Sequence, residues 1–174
     1  MVSSVDLNGI WGNVFRLDRR KNSLLDVLRE VPLFADLSPR ELRVLEEAVH
    51  VRTFAPGEPV FSEGDAGAAM YVIQSGKVDV MLRRGSYDPI LLAELVTGDF
   101  FGEMALLGDS IRSAGAVARE GSTVIGFSHP DLAAIIEVHP RMGARICLGL
   151  AKTLAERLRY TNGQLRDIWD IRSA

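Results

Sequence analysis

Residues 70–82 read MYVIQSGKVDVML. Strand-forming side chains run up to Gly76, and beyond it Val78, Val80 and Leu82 alternate with Lys77, Asp79 and Met81. A period of two sends alternate side chains to opposite faces of a strand, and the glycine supplies the turn between two such strands. The same punctuation extends in both directions. Glycine recurs at 57, 64, 67, 76, 85, 98, 102, 108, 115, 121 and 126, marking off short segments that include ILLAELV (90–96) and STVIGF (122–127). Regular turns with short strands between them predict an all-β sandwich, roll or barrel over about 53–127.

The flanks read as helix. In LSPRELRVLEEAVHV (37–51) Ser38 is placed as an N-cap, Pro39 at the first helical position and Glu41 where a capping box needs it. Leu42, Leu45, Ala48 and Val49 then form one apolar face. Ahead of it, SLLDVLREVPLF (23–34) has helical spacing up to Pro32. The first 22 residues predict a helical extension in which Trp11 and Phe15 stand beside Arg16, Arg19, Arg20 and Lys21. Such a pattern suits either a helix covering its own domain or contact with an anionic membrane surface. After Phe127, Ser128–Asp131 reads as a second cap, and Pro140 ends that helix and opens the next. Cys147, Ala151, Leu154, Leu158, Thr161, Leu165, Ile168 and Arg172 recur at alternating four- and three-residue steps. This seam fits a homodimer through the C-terminal helix, or a long helix folded back over the β-domain.

A chain of 174 residues with 47% hydrophobic and 25% charged residues can bury one substantial core. Its net charge of −3 gives no general attraction for nucleic acid. No signal-peptide pattern and no run of about 20 apolar residues is present, so the expected setting is cytoplasmic. The single cysteine, Cys147, reads as a small buried apolar residue.

One stretch stands apart from the hairpins. DFFGEMALLGDSIRSA (99–114) carries Glu103 and Arg112 among small and apolar neighbours. Either they are a buried ion pair or the segment holds a ligand that wants both charges. Gly102 followed by EMALL reads as a short helix start, whose free N–H groups favour an anion. A guanidinium forms bidentate hydrogen bonds to phosphate, and Ser113 and the Ala114 amide add donors. Glu103 would repel phosphate but accepts hydrogen bonds from sugar hydroxyls. One ligand with a phosphate beside a ribose hydroxyl satisfies both residues.

PGEPVFSEGDAGAAMYVIQSGKVDV (56–80) followed by GDFFGEMALLGDSIRSA (98–114) resembles the cyclic-nucleotide-binding domain family. That family is shared by the regulatory subunits of cyclic-AMP-dependent kinase, nucleotide-gated channels and the bacterial catabolite activator class. The resemblance covers roughly residues 30–160. It implies an eight-stranded β-roll, jelly-roll-like, with N-terminal helices and a long C-terminal helix, the nucleotide-binding domain spanning 23–160 and 161–174 forming the helix end. It further implies that 99–114 is the phosphate-binding cassette, with Gly102, Glu103, Met104, Ala105, Arg112, Ser113 and Ala114 as the ligand site. Glu103 takes the ribose 2′-hydroxyl and Arg112 the cyclic phosphate. Arg157 or Tyr160 would stack on the purine.

Four positions depart from the family pattern. Ala68 and Ala69 stand where many members carry a small polar or acidic residue that orients the arginine, Ile111 replaces a frequent proline, and Gly115 a β-branched residue. Ser113 lies between the threonine of some cyclic-GMP binders and the alanine of many cyclic-AMP binders, which leans the ligand toward cyclic AMP. Only about a dozen residues follow ERLRYTN (156–162), which predicts no DNA-binding module. His50, His129 and His139 lie outside the predicted strands, which argues against a metal-dependent β-barrel enzyme. The expected function is a non-enzymatic sensor without cofactor, binding cyclic AMP or cyclic GMP and shifting its C-terminal helices toward a closed lid to signal to a protein partner. The alternative is a ligand-independent interaction scaffold with a degenerate site.

Overall fold

The computed structural model describes residues 23–84, 87–108 and 110–173. The expected helix around Trp11 and Phe15 lies outside the described residues. Helix α1 spans Leu24–Glu30, and its cap Ser23 accepts the Asp26 N–H at 3.2 Å. A 3-10 turn over Pro32–Phe34 follows, where the proline cannot continue the α-helical hydrogen bonds. Helix α2, Pro39–Ala48, has the predicted reciprocal cap: the Ser38 N–H donates to Glu41 at 2.8 Å and the Glu41 N–H to the Ser38 hydroxyl at 3.4 Å.

Ten strands follow: β1 His50–Phe54, β2 Pro59–Phe61, β3 Ala66–Gly67, β4 Ala69–Ser75, β5 Lys77–Arg84, β6 Tyr87–Val96, β7 Phe100–Phe101, β8 Ser110–Ile111, β9 Gly115–Ala118 and β10 Ser122–Ser128. Eight of them make two four-stranded antiparallel sheets, β1-β10-β4-β7 and β2-β9-β5-β6. This is the mainly β, jelly-roll-like architecture with flanking helices that the sequence predicts. The two further strands form a two-residue ladder, Ala66 with Ile111 and Gly67 with Ser110, which the sequence reading leaves out.

The core has two compartments. Phe54, Val60, Ile73, Val78, Leu95, Phe101 and Val124 fill the inside of the roll. Val72, Phe100, Ile125 and Phe127 instead face the helices, packing with Leu28, Phe34, Leu45, Leu132, Ile146 and Leu150. Strand alternation produces the division: Val72 and Ile73, or Phe100 and Phe101, are neighbours in sequence and belong to different compartments.

Helix α3, His129–Val138, begins on the predicted Ser128–Asp131 capping box, and α4 runs from Pro140 to Ser173. Helix α4 buries Met142, Ile146, Leu150 and Thr153. The heptad positions Cys147, Ala151, Leu158 and Leu165 lie on its exposed side, and the side chains of Ile168 and Arg172 lie outside those described. Cys147 is therefore exposed rather than a core residue, because the stripe that packs is the one through Ile146 and Leu150. Gly149 lets α4 lie directly on the 3-10 turn, since a Cβ there would fall 2.5 Å from the Leu33 carbonyl oxygen. Arg145 adds a two-bond contact to Glu41, at 2.8 and 2.7 Å.

Candidate functional site

The cassette is built by a strand that stops abruptly. Phe100 and Phe101 pair with Val72 and Tyr71, and Gly102 then takes φ +72°, a left-handed conformation that turns the chain into a 3-10 helix over Glu103–Leu107. The return leg is pinned by backbone bonds: the Arg112 N–H donates to Asp65 O and the Gly64 N–H to Arg112 O, both at 2.9 Å. Glu103 and Arg112 are thereby brought into one concave site while being only 3% and 7% exposed.

They do not pair with each other. The Arg112 Nη2 donates to the Ala69 carbonyl at 2.7 Å and Nη1 to the Gly102 carbonyl at 3.1 Å. Its Cζ lies 4.0 Å from the Phe61 ring centroid and 5.7 Å from that of Tyr71. The place of an orienting carboxylate is taken by backbone carbonyls and aromatic faces, so the alanines at 68 and 69 do not leave the guanidinium unsupported. Its Nε is buried and has no acceptor from the protein. Desolvation pushes the Arg112 pKa down, opposed by Tyr71, Asp65 and Glu103, and the group remains charged.

Glu103 is held instead from α4: its Oε2 lies 2.6 Å from the Arg157 Nη1. Arg157 also donates through Nη2 to the Phe100 carbonyl at 3.1 Å, and its Cζ lies 4.8 Å from the Phe100 ring.

A cavity open to solvent lies over these groups. All seven expected ligand residues line it: Gly102, Glu103, Met104, Ala105, Arg112, Ser113 and Ala114. The Ala105 amide is already committed to the Gly102 carbonyl, at 3.1 Å. Arg157 and Tyr160 are not among the lining residues; Arg157 stands behind Glu103. The lining also includes Phe61, Val80, Phe101, Ser110 and Ile111, which the sequence reading does not name. Phe61 comes from β2 and stacks with Tyr71 of β4, centroids 5.9 Å apart. The two strands belong to different sheets, so the meeting of these rings under Arg112 is a product of sheet packing, and no sequence spacing signals it.

The arrangement is a mostly apolar pocket with one desolvated cation and one carboxylate, suited to an anion that also presents a hydroxyl. Among the described residues no group of three or more His, Cys, Asp or Glu is placed to hold a metal ion, and no helix is long and apolar enough to cross a membrane.

The family model for the cyclic nucleotide-binding domain matches residues 51–139. The chain is 36% identical over 134 residues to the cyclic AMP receptor protein of Thermus thermophilus, covering 77% of this chain and 60% of that protein. It is 38% identical over 99 residues to the cAMP-dependent protein kinase regulatory subunit of Colletotrichum orbiculare, covering 57% of this chain and 25% of the relative. Among solved structures it is similar to the N-terminal domain of a transcriptional regulator from Streptomyces coelicolor A3(2), with TM-score 0.68 and 31% identity, covering 80% of this chain and 95% of that one. The chain thus spans less than two thirds of the length of each of these curated relatives, 60% of one and 25% of the other.

These findings correct the expected partners. A stand-alone chain without a DNA-binding module, acting through a homodimer, an unknown protein partner or a membrane-touching N-terminus, does not stand as an assignment. The similar domain from Streptomyces coelicolor is itself the N-terminal part of a transcriptional regulator. The few residues after ERLRYTN measure only this sequence, and transcriptional regulators return to the classes the chain resembles. The matched family is one of regulatory binding domains rather than catalysts.

Proposed function

The chain belongs to the cyclic nucleotide-binding domain family, and from that premise we propose that it is a sensor whose cavity takes a 3′,5′-cyclic nucleotide and whose flanking helices carry the event onward. The observation that carries this reading is the buried Arg112 Nε, a charged donor without an acceptor from the protein. A buried donor left unmatched costs on the order of 1–3 kcal/mol, and a cyclic phosphate supplies the missing acceptor while balancing the charge. Glu103, in the same cavity, takes the ribose 2′-hydroxyl. Gly102, Met104, Ser113 and Ala114 present backbone around the phosphate, and Phe61 and Phe101 make an apolar wall. Tyr160, half-buried and about one turn beyond Arg157 on α4, covers the purine.

Cyclic AMP is the favoured ligand. Ser113 is compatible with it, and both curated relatives described above carry cyclic AMP in their names. A cytoplasmic setting belongs to the same reading and is supported by a lone, exposed thiol.

Calorimetric titration of nucleotide-free protein with cyclic AMP and then cyclic GMP tests the proposal. Micromolar or tighter binding is expected with one of them, and Arg112→Ala is expected to weaken it about a hundredfold. Silence with both makes Arg112 and Glu103 structural and leaves an interaction scaffold.

A further inference from the structure

Phe61 ends β2, and the turn that follows it grips Arg112 by main chain and side chain together. Gly64 and Asp65 bond the Arg112 carbonyl and N–H, both at 2.9 Å, while the Phe61 ring lies under the guanidinium at 4.0 Å from Cζ. The ring is itself held in place. It meets Tyr71 and Phe101 with centroids 5.9 and 5.8 Å away, and those two rings stack on each other at 5.6 Å. Of the two rings near the guanidinium Phe61 is the closer, since Tyr71 stands 5.7 Å off.

A cation that is only 7% exposed needs support that does not compete with its ligand. A carboxylate bonded to the guanidinium would neutralise it and occupy the donors that an anion wants. Here Nη1 and Nη2 donate to the Gly102 and Ala69 carbonyls, which are neutral, and Nε is left without a protein acceptor. A ring face attracts the cation through its quadrupole and uses no N–H at all. The positive charge and one aimed donor therefore stay available to an incoming phosphate.

Resting on the nucleotide reading above, we propose that Phe61 is a positioning residue for phosphate recognition: its ring face carries the Arg112 guanidinium so that Nε meets the cyclic phosphate, and it does so without neutralising the cation. A residue of the apolar wall thereby belongs to the anion site, and the electron density of one ring sets how firmly the phosphate is held. This role has a sign that other uses of the ring lack. Cation binding weakens as a ring loses π density, whereas stacking of the same ring on an electron-rich purine improves. A ring that only fills space responds to volume and not to electron density.

Titration of the full chain with cyclic AMP and cyclic GMP tests the assignment, the tighter ligand of wild type being used for comparison. The variants are Phe61→Tyr, Phe61→Leu and chains with mono-, di- or trifluorinated phenylalanine in place of Phe61. Phe61→Tyr is expected to bind within about twofold of wild type, and Phe61→Leu to weaken binding about tenfold. Across the fluorinated series affinity is expected to fall stepwise, reaching about threefold with three fluorines. Fluorine adds little volume, so this series stays readable even where Phe61→Leu loses stability in thermal denaturation. Affinity that is flat or rises with fluorination overturns the assignment, as does a folded Phe61→Leu that binds like wild type. A wild-type chain that binds neither nucleotide refutes the nucleotide reading itself, a failure distinct from any trend across the series.

Discussion

At the scale of single residues, Gly102 bears two constraints at once. Its φ of +72° disfavours any side chain, and an added Cβ would lie 2.5 Å from the Arg112 Nη1. The backbone term costs about 1–2 kcal/mol, and the clash displaces the guanidinium from the carbonyls that hold it. Gly102→Ala is therefore expected to lower stability by about that amount in urea denaturation. It is also expected to weaken nucleotide binding by more than the stability loss accounts for, measured by titration at a temperature where the variant is fully folded. Glu103, Arg112 and the glycine before them were legible in the sequence because their chemistry is unusual among small neighbours within one short segment. The Phe61 and Tyr71 faces, the Ala69 carbonyl and the Arg157 partner were not. Each reaches the site from a different element, and a backbone carbonyl has no signature in sequence.

At the scale of elements, the link between the cassette and the helices passes through the start of α3. The His129 Nδ1 lies 2.8 Å from the Leu106 carbonyl in the cassette helix, and since a carbonyl only accepts, the ring nitrogen donates. The His129 backbone N–H donates to the Ala68 carbonyl at 3.0 Å, next to the carbonyl that holds Arg112. A ligand that tightens the cassette therefore acts on the first turn of α3. Hydrogen exchange of residues 129–138 is expected to slow by several-fold on saturation with cyclic AMP, reporting lower opening probability. Unchanged exchange there would break the proposed route from site to helix. Both capping boxes were readable because a cap is a local pattern of four residues. The face of α4 was not, since its heptad spacing and its packed stripe through Ile146 and Leu150 are both apolar and only tertiary contact selects between them.

At the scale of the whole molecule, the helices flanking the roll clasp one another outside it, through Arg145 and Glu41. Glu41 of α2 carries its pKa below the ordinary 4.5, first through the hydrogen bond with the Ser38 side chain, then the Ser38 backbone and the Arg145 guanidinium. A depressed carboxyl contributes stability that is fully present above pH 4.5 and is lost as pH falls through its lowered value. Wild type is expected to be more stable than Glu41→Gln at pH 7, with the gap closing in acid, as denaturation at pH 7 and pH 3 would report. Glycine punctuation and the period of two made the roll readable. The pairing of β1 with β10 and of β4 with β7 joins segments far apart in sequence, which periodicity does not encode.

The division of the core carries a consequence for the gene. Phe100 fills the helical compartment and Phe101 the roll interior, and β7 consists of these two residues alone. An in-frame insertion or deletion of a single codon just ahead of β7 would exchange the two compartments' occupants and swing the cassette that follows to the wrong side of the sheet. Reading-frame length is thus constrained here independently of which large apolar residues occupy the two positions.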